Sequence, residues 1–376
     1  MILLGGPYVS DLLLDTIGDN ALPFRVCDPD LDLPDGDAPP TGDRFLTNSE
    51  NTYAWVAAHL GHTDLPAKVD VFKDKARFRR LVQPLFPDFF FREIGVGELD
   101  ELDVSELPSP FVIKPNVGFF SLGVHKVDGP AHWPVVRQKI ADDLAHIGSL
   151  YPPEVLDTAT FLIEDCLAGD EFAVDAYFDG NGEVVVLNIL QHLFSSEADV
   201  SDRVYLSSRD ILQRHLQSFS DFLAEVGERA GLRNFPLHVE LRVDSNGTLA
   251  PIEVNPLRFG GWCTTADLTA MAYGVNPYLY FLQDRRPDWA EVFAGREDTL
   301  FSVIVLDNST GVPGQDVGGF DYEALRARFH KPLALRKADF RRFPLFGFIF
   351  AETDPAHREE LDFILTSDLR EFLLPR

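Results

Sequence analysis

Two glutamates face each other in a hairpin predicted around Asn246-Gly247. Apolar and polar residues alternate on both sides of this dipeptide, which favours a two-residue type I′ turn. In the register of such a turn, Glu240 lies directly opposite Glu253. The intervening valine, leucine and isoleucine side chains then point to the other face, because side chains alternate along a strand. Glu240, Glu253 and Asn255 are therefore expected on one surface of the hairpin.

Two carboxylates opposed across a hairpin lie roughly 5 Å apart at their Cβ atoms and repel each other. A hard cation between them would remove this repulsion. Carboxylate and amide oxygens suit Mg²⁺ or Mn²⁺, and Mg²⁺ commonly combines one or two carboxylates with substrate phosphates. A solvated hairpin face would explain the polarity but not the pair of like charges. The sequence thus predicts a metal site at Glu240, Glu253 and Asn255.

A lysine followed by a glycine-rich loop is typical of a phosphate contact. Phe111–Lys114 is an apolar strand that ends in lysine, and the next residues include Gly118, Ser121 and Gly123. Backbone N–H groups of such a loop, together with an ammonium, can bind phosphate oxygens. The alternative is a lysine at a strand end before a flexible hairpin, with no ligand.

The segment Phe161–Asp175 suggests a nucleotide-binding hinge. An apolar strand runs into the acidic pair Glu164-Asp165, a turn glycine and Glu171. Its backbone could recognise an adenine edge while a carboxylate accepts hydrogen bonds from ribose hydroxyls. Alternation then resumes, with Phe172, Val174, Ala176 and Phe178 on one face and Glu171, Asp175 and Tyr177 on the other.

These segments require an α/β unit, an α+β unit and a further lobe to position them. Strand, Gly5-Gly6 turn and helix open the chain, and the turn lacks the full dinucleotide-binding spacing, so no ligand is assigned to it. Helix starts are predicted at Ser49 and at Asp74, and longer helices near 131–144 and 209–230. Strands at 300–306 and 346–351 and a helix near 355–363 follow Pro277. The expected domains are 1–105, 106–276 and 277–376.

Composition excludes several classes of partner. Acidic residues outnumber basic ones, 60 to 33, which gives the 376-residue chain a net charge of −27 and disfavours nucleic acid and anionic lipid. Three separated cysteines suggest neither a disulfide framework nor a zinc site. No apolar run is long enough to span a bilayer, and the N-terminus reads as a strand rather than a signal peptide, so a cytoplasmic location is expected.

In the order of these segments, the chain resembles the ATP-grasp superfamily, in which ATP is held between two α+β subdomains. The resemblance spans roughly residues 74–276. It implies an ATP-grasp fold preceded by an α/β domain and followed here by an appended C-terminal lobe. It also implies ATP and Mg²⁺ (or Mn²⁺) as cofactors. The implied ATP contacts are Lys75, Lys114, Gly118, Ser121, Gly123, Glu164, Asp165, Leu167 and Glu171.

By the same resemblance, Glu240, Glu253 and Asn255 are metal ligands, and Arg258 stabilises the transferring phosphoryl group. Leu257 occupies the place where family members often have this arginine. Phe119-Phe120 stands in the phosphate loop where small residues are frequent. Gly260-Gly261 could bind a substrate carboxylate through backbone N–H groups, or could form a tight turn. His192, Arg203 and Tyr205 are further candidates for the acceptor pocket.

The predicted function is an ATP- and Mg²⁺-dependent ligase that activates a small carboxylate as an acyl phosphate for attack by an amine, with Lys114 and Arg258 as catalytic residues. One alternative is a small-molecule kinase with the same ATP site. Another is a nucleotide-binding regulatory protein without turnover. The sequence leaves open the identities of the acid and amine, the role of the C-terminal lobe and whether the protein forms a homo-oligomer.

Overall fold

A computed structural model describes residues 1–33, 36, 39, 42–117, 123–147, 157–196, 201–296 and 298–376. Its helices and sheets confirm the predicted combination of α/β and α+β units. Among the predicted site residues, Gly118 and Ser121 lie outside the described residues, as does Phe119-Phe120.

A parallel sheet opens the chain. Its strands are β1 (Ile2–Leu4), β2 (Phe24–Val26) and β3 (Leu46–Thr47), in the order β2-β1-β3. The accompanying helices are α1 (Asp11–Asp19), α2 (Tyr53–His59), α3 (Leu65–Lys73) and α4 (Lys75–Val82). Asn48 ties the Gly5 turn by accepting from Gly5 N–H (2.9 Å) and donating to Gly5 O (2.8 Å). These contacts fix a tight turn between β1 and α1.

Ser49 begins the predicted helical segment, whose first residues form a short 3-10 turn. Its hydroxyl accepts from Asn51 N–H (3.3 Å), and the turn spans Glu50–Thr52 before α2 begins at Tyr53. The second predicted helix start is confirmed, since Asp74 caps α4 by accepting from Arg77 N–H (2.8 Å).

An antiparallel sheet of four strands follows. It consists of β4 (Phe91–Gly95), β5 (Phe111–Val117), β6 (His125–Val127) and β7 (Asp157–Asp165), in the order β4-β7-β5-β6. Helix α5 (Trp133–Ile147) accompanies this sheet, and Trp133 packs in one core with Phe111 and Phe161. This separate core makes the four-stranded sheet a structural unit of its own.

The largest sheet contains the strand that follows the predicted hinge and the hairpin with Glu240 and Glu253. Its first strands are β8 (Asp170–Phe178), β9 (Val184–Leu193), β10 (Val204–Ser208), β11 (Phe235–Val243) and β12 (Leu249–Pro256). The associated helices are α6 (Arg209–Ala230), α7 (Thr264–Tyr273), α8 (Pro277–Leu282) and α9 (Trp289–Val292).

This sheet continues past Pro277. The remaining elements are β13 (Leu300–Asp307), β14 (Gly319–Phe320), α10 (Tyr322–Arg326), β15 (Lys331–Lys337), β16 (Leu345–Thr353), α11 (Glu359–Thr366) and β17 (Leu373–Leu374). The eight-stranded order is β12-β11-β8-β9-β10-β13-β16-β15, and β14 pairs with β17. The last lobe thus extends the central sheet, while the exact domain boundaries stay a prediction.

Opposite faces of the central sheet differ in polarity, as the alternation in β8 predicts. Phe172 packs edge-on against Phe219 of α6, with ring centroids 5.5 Å apart. On the other face, Asn188 of β9 donates to Thr269 of α7 (2.8 Å). Helix α6 therefore covers the apolar face of the sheet, and α7 covers part of the polar face.

Gly227 allows α6 to approach β8 closely. A Cβ atom at Gly227 would lie 2.1 Å from the Phe178 ring, whereas one at Gly18 of α1 would meet nothing within 4 Å. We expect Gly227→Ala to lower the free energy of unfolding by about 1–3 kcal/mol because the core would be overpacked. The matched Gly18→Ala should raise it by up to about 1 kcal/mol through helix propensity. Urea unfolding of both variants tests this, and a stabilised Gly227→Ala protein would contradict it.

Candidate active site

The predicted opposition of Glu240 and Glu253 is confirmed, but the predicted turn is wrong. Val243 pairs with Leu249, and Asp244 N–H donates to Thr248 O (3.0 Å), so the loop is longer than two residues. A shift in register after Glu240 then restores the pairing of Glu240 with Glu253. The Asp244 carboxylate explains the different turn, since it accepts from the backbone N–H groups of Asn246 and Thr248, both at 2.8 Å.

The two opposed carboxylates have different electrostatic surroundings. Glu253 lies 3.1 Å from Lys75 Nζ. Burial tends to raise the pKa of Glu253, but the ammonium groups of Lys75, Lys73 and Lys114 lower it to about 2. Among the described residues, Glu240 has no ion pair this short. His238 Nε2 lies 3.9 Å from Glu240 Oε1. Burial, followed by the negative charge of Glu253, raises the pKa of Glu240 well above its usual value.

The oxygen donors of Glu240, Glu253 and Asn255 suit a divalent cation whose remaining coordination positions are filled by a phosphate-bearing ligand. Asn255 lies beside the pair and donates to Glu253 Oε1 (3.3 Å), so two carboxylates and one amide meet on the hairpin. Within the described residues, no group of three or more His, Cys, Asp or Glu side chains is arranged to hold a metal ion. Mg²⁺ with one or two protein carboxylates and substrate phosphates needs no such group. A cation would also relieve the repulsion that acts on Glu240.

Lys114 is held by a buried ion-pair network. Its Nζ lies 2.5 Å from Glu164 Oε1, and Arg79 Nε donates to Glu164 Oε2 (2.7 Å). Burial tends to raise the pKa of Glu164, but Arg79 and Lys114 together lower it to about 2. Burial also lowers the pKa of Lys114, against the opposing effect of Glu164. The Glu164 carboxylate therefore orients two cations, whereas the sequence suggested a nucleotide contact for it.

Arg79 connects this network to the hairpin of β11 and β12, and no role was predicted for Arg79 from the sequence. Its Nη1 donates to Pro251 O (2.5 Å), two residues before Glu253. Arg79 follows Lys75 by four residues on α4, so both side chains lie on one face of that helix. This spacing is the signal that could have identified Arg79.

The hinge lies between β7 and β8 and is fixed at several points. Asp165 Oδ2 accepts from Phe90 N–H (2.7 Å), and Leu167 O accepts from Arg242 Nη1 (2.8 Å). Glu171 accepts from Arg242 Nη2 (2.9 Å) and contacts His192 Nδ1 (3.0 Å). The segment thus joins the four-stranded and eight-stranded sheets in a defined path. The nucleotide contacts assigned to Asp165, Leu167 and Glu171 stay predictions.

Gly123, the last residue of the predicted phosphate loop, adopts a conformation that favours glycine. Its φ is +70°, and a Cβ atom there would lie 3.1 Å from Pro115 Cγ. The residue therefore returns the chain closely over the end of β5, which contains Lys114.

Arg258 is buried and makes an ion pair with a residue that the sequence did not single out. Its Nη2 donates to Glu50 Oε1 (2.6 Å). The glycine-rich segment after it forms a constrained turn, because Gly260 N–H donates to Asp175 Oδ1 (3.1 Å) and Thr265 Oγ1 (2.8 Å). The N–H group of Gly260 is thus already paired within the protein. Binding of a substrate carboxylate at Gly260-Gly261 stays a prediction.

The remaining acceptor-pocket candidates do not all face one place. His192 stacks on Tyr205, with ring centroids 4.3 Å apart, and its Nε2 faces Ser201 O at 2.9 Å. Arg203 instead donates to Asp307 Oδ1 (2.7 Å) and to Ile364 O (3.1 Å). Its guanidinium therefore joins β10 to the C-terminal lobe, and its predicted role with substrate gains no support from these contacts.

The arrangement gathers cations and oxygen ligands from separate elements around one hairpin. Lys75 comes from α4 and Lys114 from β5, while β11 and β12 provide the carboxylates. The cations of such a set can neutralise a polyphosphate, and its carboxylates can neutralise a divalent cation.

None of the described helices is long and apolar enough to cross a membrane.

We expect opposite effects from neutralising the two glutamates in protein with EDTA. Because the pKa of Glu240 is raised, its ionisation destabilises the folded state above about pH 4.3, the usual glutamate value. The lowered pKa of Glu253 stabilises above that pH, and this stabilisation is lost as the pH falls toward about 2. At pH 8, Glu240→Gln should keep or raise the melting temperature, and Glu253→Gln should lower it by about 2–4 °C.

Melting curves between pH 3 and pH 8 test both effects, and both differences should shrink toward pH 3. A lower melting temperature for Glu240→Gln at pH 8 would show that its charge is stabilised without metal, contrary to this electrostatic assignment.

Comparison with known proteins agrees with this architecture. Residues 107–266 match the family model described as the ATP-grasp domain. No curated protein matches the sequence. The structure of L-amino acid ligase from Bacillus licheniformis superposes with a TM-score of 0.73 at 18% identity, covering 100% of this chain and 98% of that one.

Two further structures share the fold. N5-carboxyaminoimidazole ribonucleotide synthetase from Thermotoga maritima gives a TM-score of 0.63 at 13% identity, covering 99% of this chain and 97% of that one. Biotin carboxylase from Campylobacter jejuni, in complex with βγ-ATP, gives 0.59 at 12% identity, covering 89% and 75%. Residues 107–266 therefore match an ATP-grasp domain, and the chain as a whole shares the fold of these structures.

Proposed function

We propose that this protein uses ATP and Mg²⁺ to join a small-molecule carboxylate to an amine through an acyl phosphate. The observation that carries the proposal is the Glu240/Glu253 pair, which is bordered by Lys75 at 3.1 Å from Glu253 and has Asn255 beside it. The ATP-grasp fold supports nucleotide use, and ligases that make carbon–nitrogen bonds are among its structural neighbours.

In the proposed reaction, a carboxylate oxygen of the acid attacks the γ-phosphorus of ATP and ADP leaves. The amine nitrogen then attacks the acyl carbon of the resulting acyl phosphate. Inorganic phosphate departs and the amine loses a proton, which yields an amide. At phosphorus and at carbon one bond forms and one breaks, and the proton from nitrogen goes to solvent, so no oxidant or other co-reactant is needed.

The chain's own residues would act by charge and position. Lys75 and Lys114 would bind phosphate oxygens, and Arg258 would stabilise the transferring phosphoryl group and the acyl phosphate. Glu240, Glu253 and Asn255 would hold Mg²⁺, which when bound neutralises phosphate charge and fixes the orientation of the phosphates. The ion pairs of Lys114 with Glu164 and of Arg258 with Glu50 keep these cations in place before substrate arrives. Such preorganisation is the main protein contribution to phosphoryl transfer.

Amino acids are the first class of acid to test. The similarity to L-amino acid ligase extends over 100% of this chain, including the C-terminal lobe. An amino acid also contains both functional groups of the proposed reaction, so one class of compound could serve as acid and as amine.

We predict that hydroxylamine will capture an acyl hydroxamate when the protein is incubated with MgATP and the correct acid, even without the amine. The physical reason is that an acyl phosphate is electrophilic at carbon and is attacked by any small nucleophile that reaches it. A panel of amino acids and other carboxylates is assayed for hydroxamate, ADP and phosphate, with ATP omitted as the control.

A ligase releases ADP and phosphate in equal amounts when acid and amine are both present. A stable phosphorylated product without hydroxamate would instead show the kinase reaction. Tight ATP binding with no ADP formed by any acid in the panel would favour the regulatory protein, and either result would refute the proposed ligase.

A further inference from the structure

Residues of the N-terminal domain form hydrogen bonds with the chain directly after Asn255, one of the candidate metal ligands. Tyr53 Oη donates to Pro256 O (2.5 Å), and Thr47 N–H donates to Leu257 O (2.7 Å). Glu50 accepts from Arg258 at the next position. Three consecutive residues after Asn255 are thus held by one short segment, 47–53, that lies about two hundred positions earlier in the chain.

Glu50 is the charged contact of this segment. Its Oε1 accepts from Arg258 Nε (3.1 Å) and Nη2 (2.6 Å), and its Oε2 lies 2.5 Å from Lys73 Nζ. Its side chain is only 9% exposed. Burial tends to raise the pKa of Glu50, but Lys73 and Arg258 lower it, so the carboxylate is ionised at neutral pH. A forked contact of this kind fixes both the position and the plane of a guanidinium.

The backbone before Arg258 explains why such a partner is needed. Leu257 has φ = +58°, a left-handed conformation that turns the chain away from strand β12, and its side chain is fully buried. Arg258 therefore does not continue the strand that presents Glu253 and Asn255. Its remaining terminal nitrogen, Nη1, donates to Phe259 O (2.8 Å). Glu50 thus holds two of the three guanidinium nitrogens, and that carbonyl holds the third.

We propose that Glu50 is a positioning residue for catalysis, which acts from the N-terminal domain by fixing the guanidinium of Arg258. The inference rests on the proposed function, in which Arg258 stabilises the transferring phosphoryl group. Phosphoryl transfer depends on placement, and a misplacement of about 1 Å can cost roughly 100-fold in rate. Glu50 makes its contacts with Arg258 and Lys73 rather than with Lys75 or Lys114, so its loss should affect turnover more than nucleotide binding.

The test compares Glu50→Gln, Arg258→Ala and the double variant in one cycle. ADP release from MgATP is measured with a mixture of the proteinogenic L-amino acids as the probe, and MgADP affinity is measured by calorimetry. Glu50→Gln should lower kcat by about 10- to 100-fold, with KM for ATP and MgADP affinity within about twofold. The double variant should be no slower than Arg258→Ala alone, because Glu50 acts through Arg258.

Two further variants separate positioning from general stability. Glu360 is another buried glutamate, which accepts from Thr353 and from His330 N–H (2.7 Å) in the C-terminal lobe. Glu360→Gln should lower the melting temperature without a comparable loss of kcat. Glu50→Asp retains the charge on a shorter side chain, so its kcat should lie between those of wild type and Glu50→Gln, and it replaces Glu50→Gln if that protein does not fold.

Multiplicative losses from Glu50→Gln and Arg258→Ala would overturn the proposal, as would an unchanged kcat in Glu50→Gln. An equal loss of kcat in Glu360→Gln would reduce Glu50 to a structural role. If Arg258→Ala retains full kcat, the inference fails while ligase activity in the wild type stands. Absence of turnover by the wild type with every acid is instead a failure of the proposed function.

Discussion

Like-charge repulsion between Glu240 and Glu253 is the constraint on which the rest of the site depends. Their strands are paired, so the two carboxylates are held together by the fold whether or not a cation is present. The charges around the two carboxylates differ. Lys75 lies 3.1 Å from Glu253 and stabilises its negative charge. Glu240 instead experiences the negative charges of Glu171 and Asp202 in addition to that of Glu253. A site in which one carboxylate has a close ammonium partner and the other is surrounded mainly by negative charge is suited to take up a divalent cation together with a phosphate ligand.

Separate structural units provide the cations around this hairpin, and two buried carboxylates, Glu164 and Glu50, each hold two of these cations. Lys114 of the four-stranded sheet and Arg79 of α4 share Glu164. Arg258, which follows β12, and Lys73 of α3 share Glu50 from the N-terminal domain. These buried pairs join the three units at the place where the nucleotide phosphates are proposed to bind. Because the partners are fixed before substrate arrives, little reorganisation is needed during reaction.

Local patterns in the sequence were sufficient for the strands and helices that build the site. Alternation predicted the two faces of β8, and α6 begins and ends at the predicted residues, Arg209 and Ala230. The pairing of Glu240 with Glu253 was predicted correctly although the turn was wrong, because the register shift compensates for the longer loop held by Asp244. No role was predicted for Glu50, because its partner Arg258 lies 208 positions away and no local pattern encodes that contact. Arg79 lies 85 positions from Glu164, and only its spacing from Lys75 on α4 could have indicated it.

The most direct test of the account is the fate of oxygen during turnover. An acid labelled with ¹⁸O in its carboxylate is converted with MgATP and an amine, and the released phosphate is analysed by mass spectrometry. The proposed acyl phosphate loses its bridging oxygen to phosphate, so each phosphate released should contain one labelled oxygen from the acid. Phosphate without the label, accompanied by a product that retains both labelled oxygens, would contradict activation of the carboxylate by ATP.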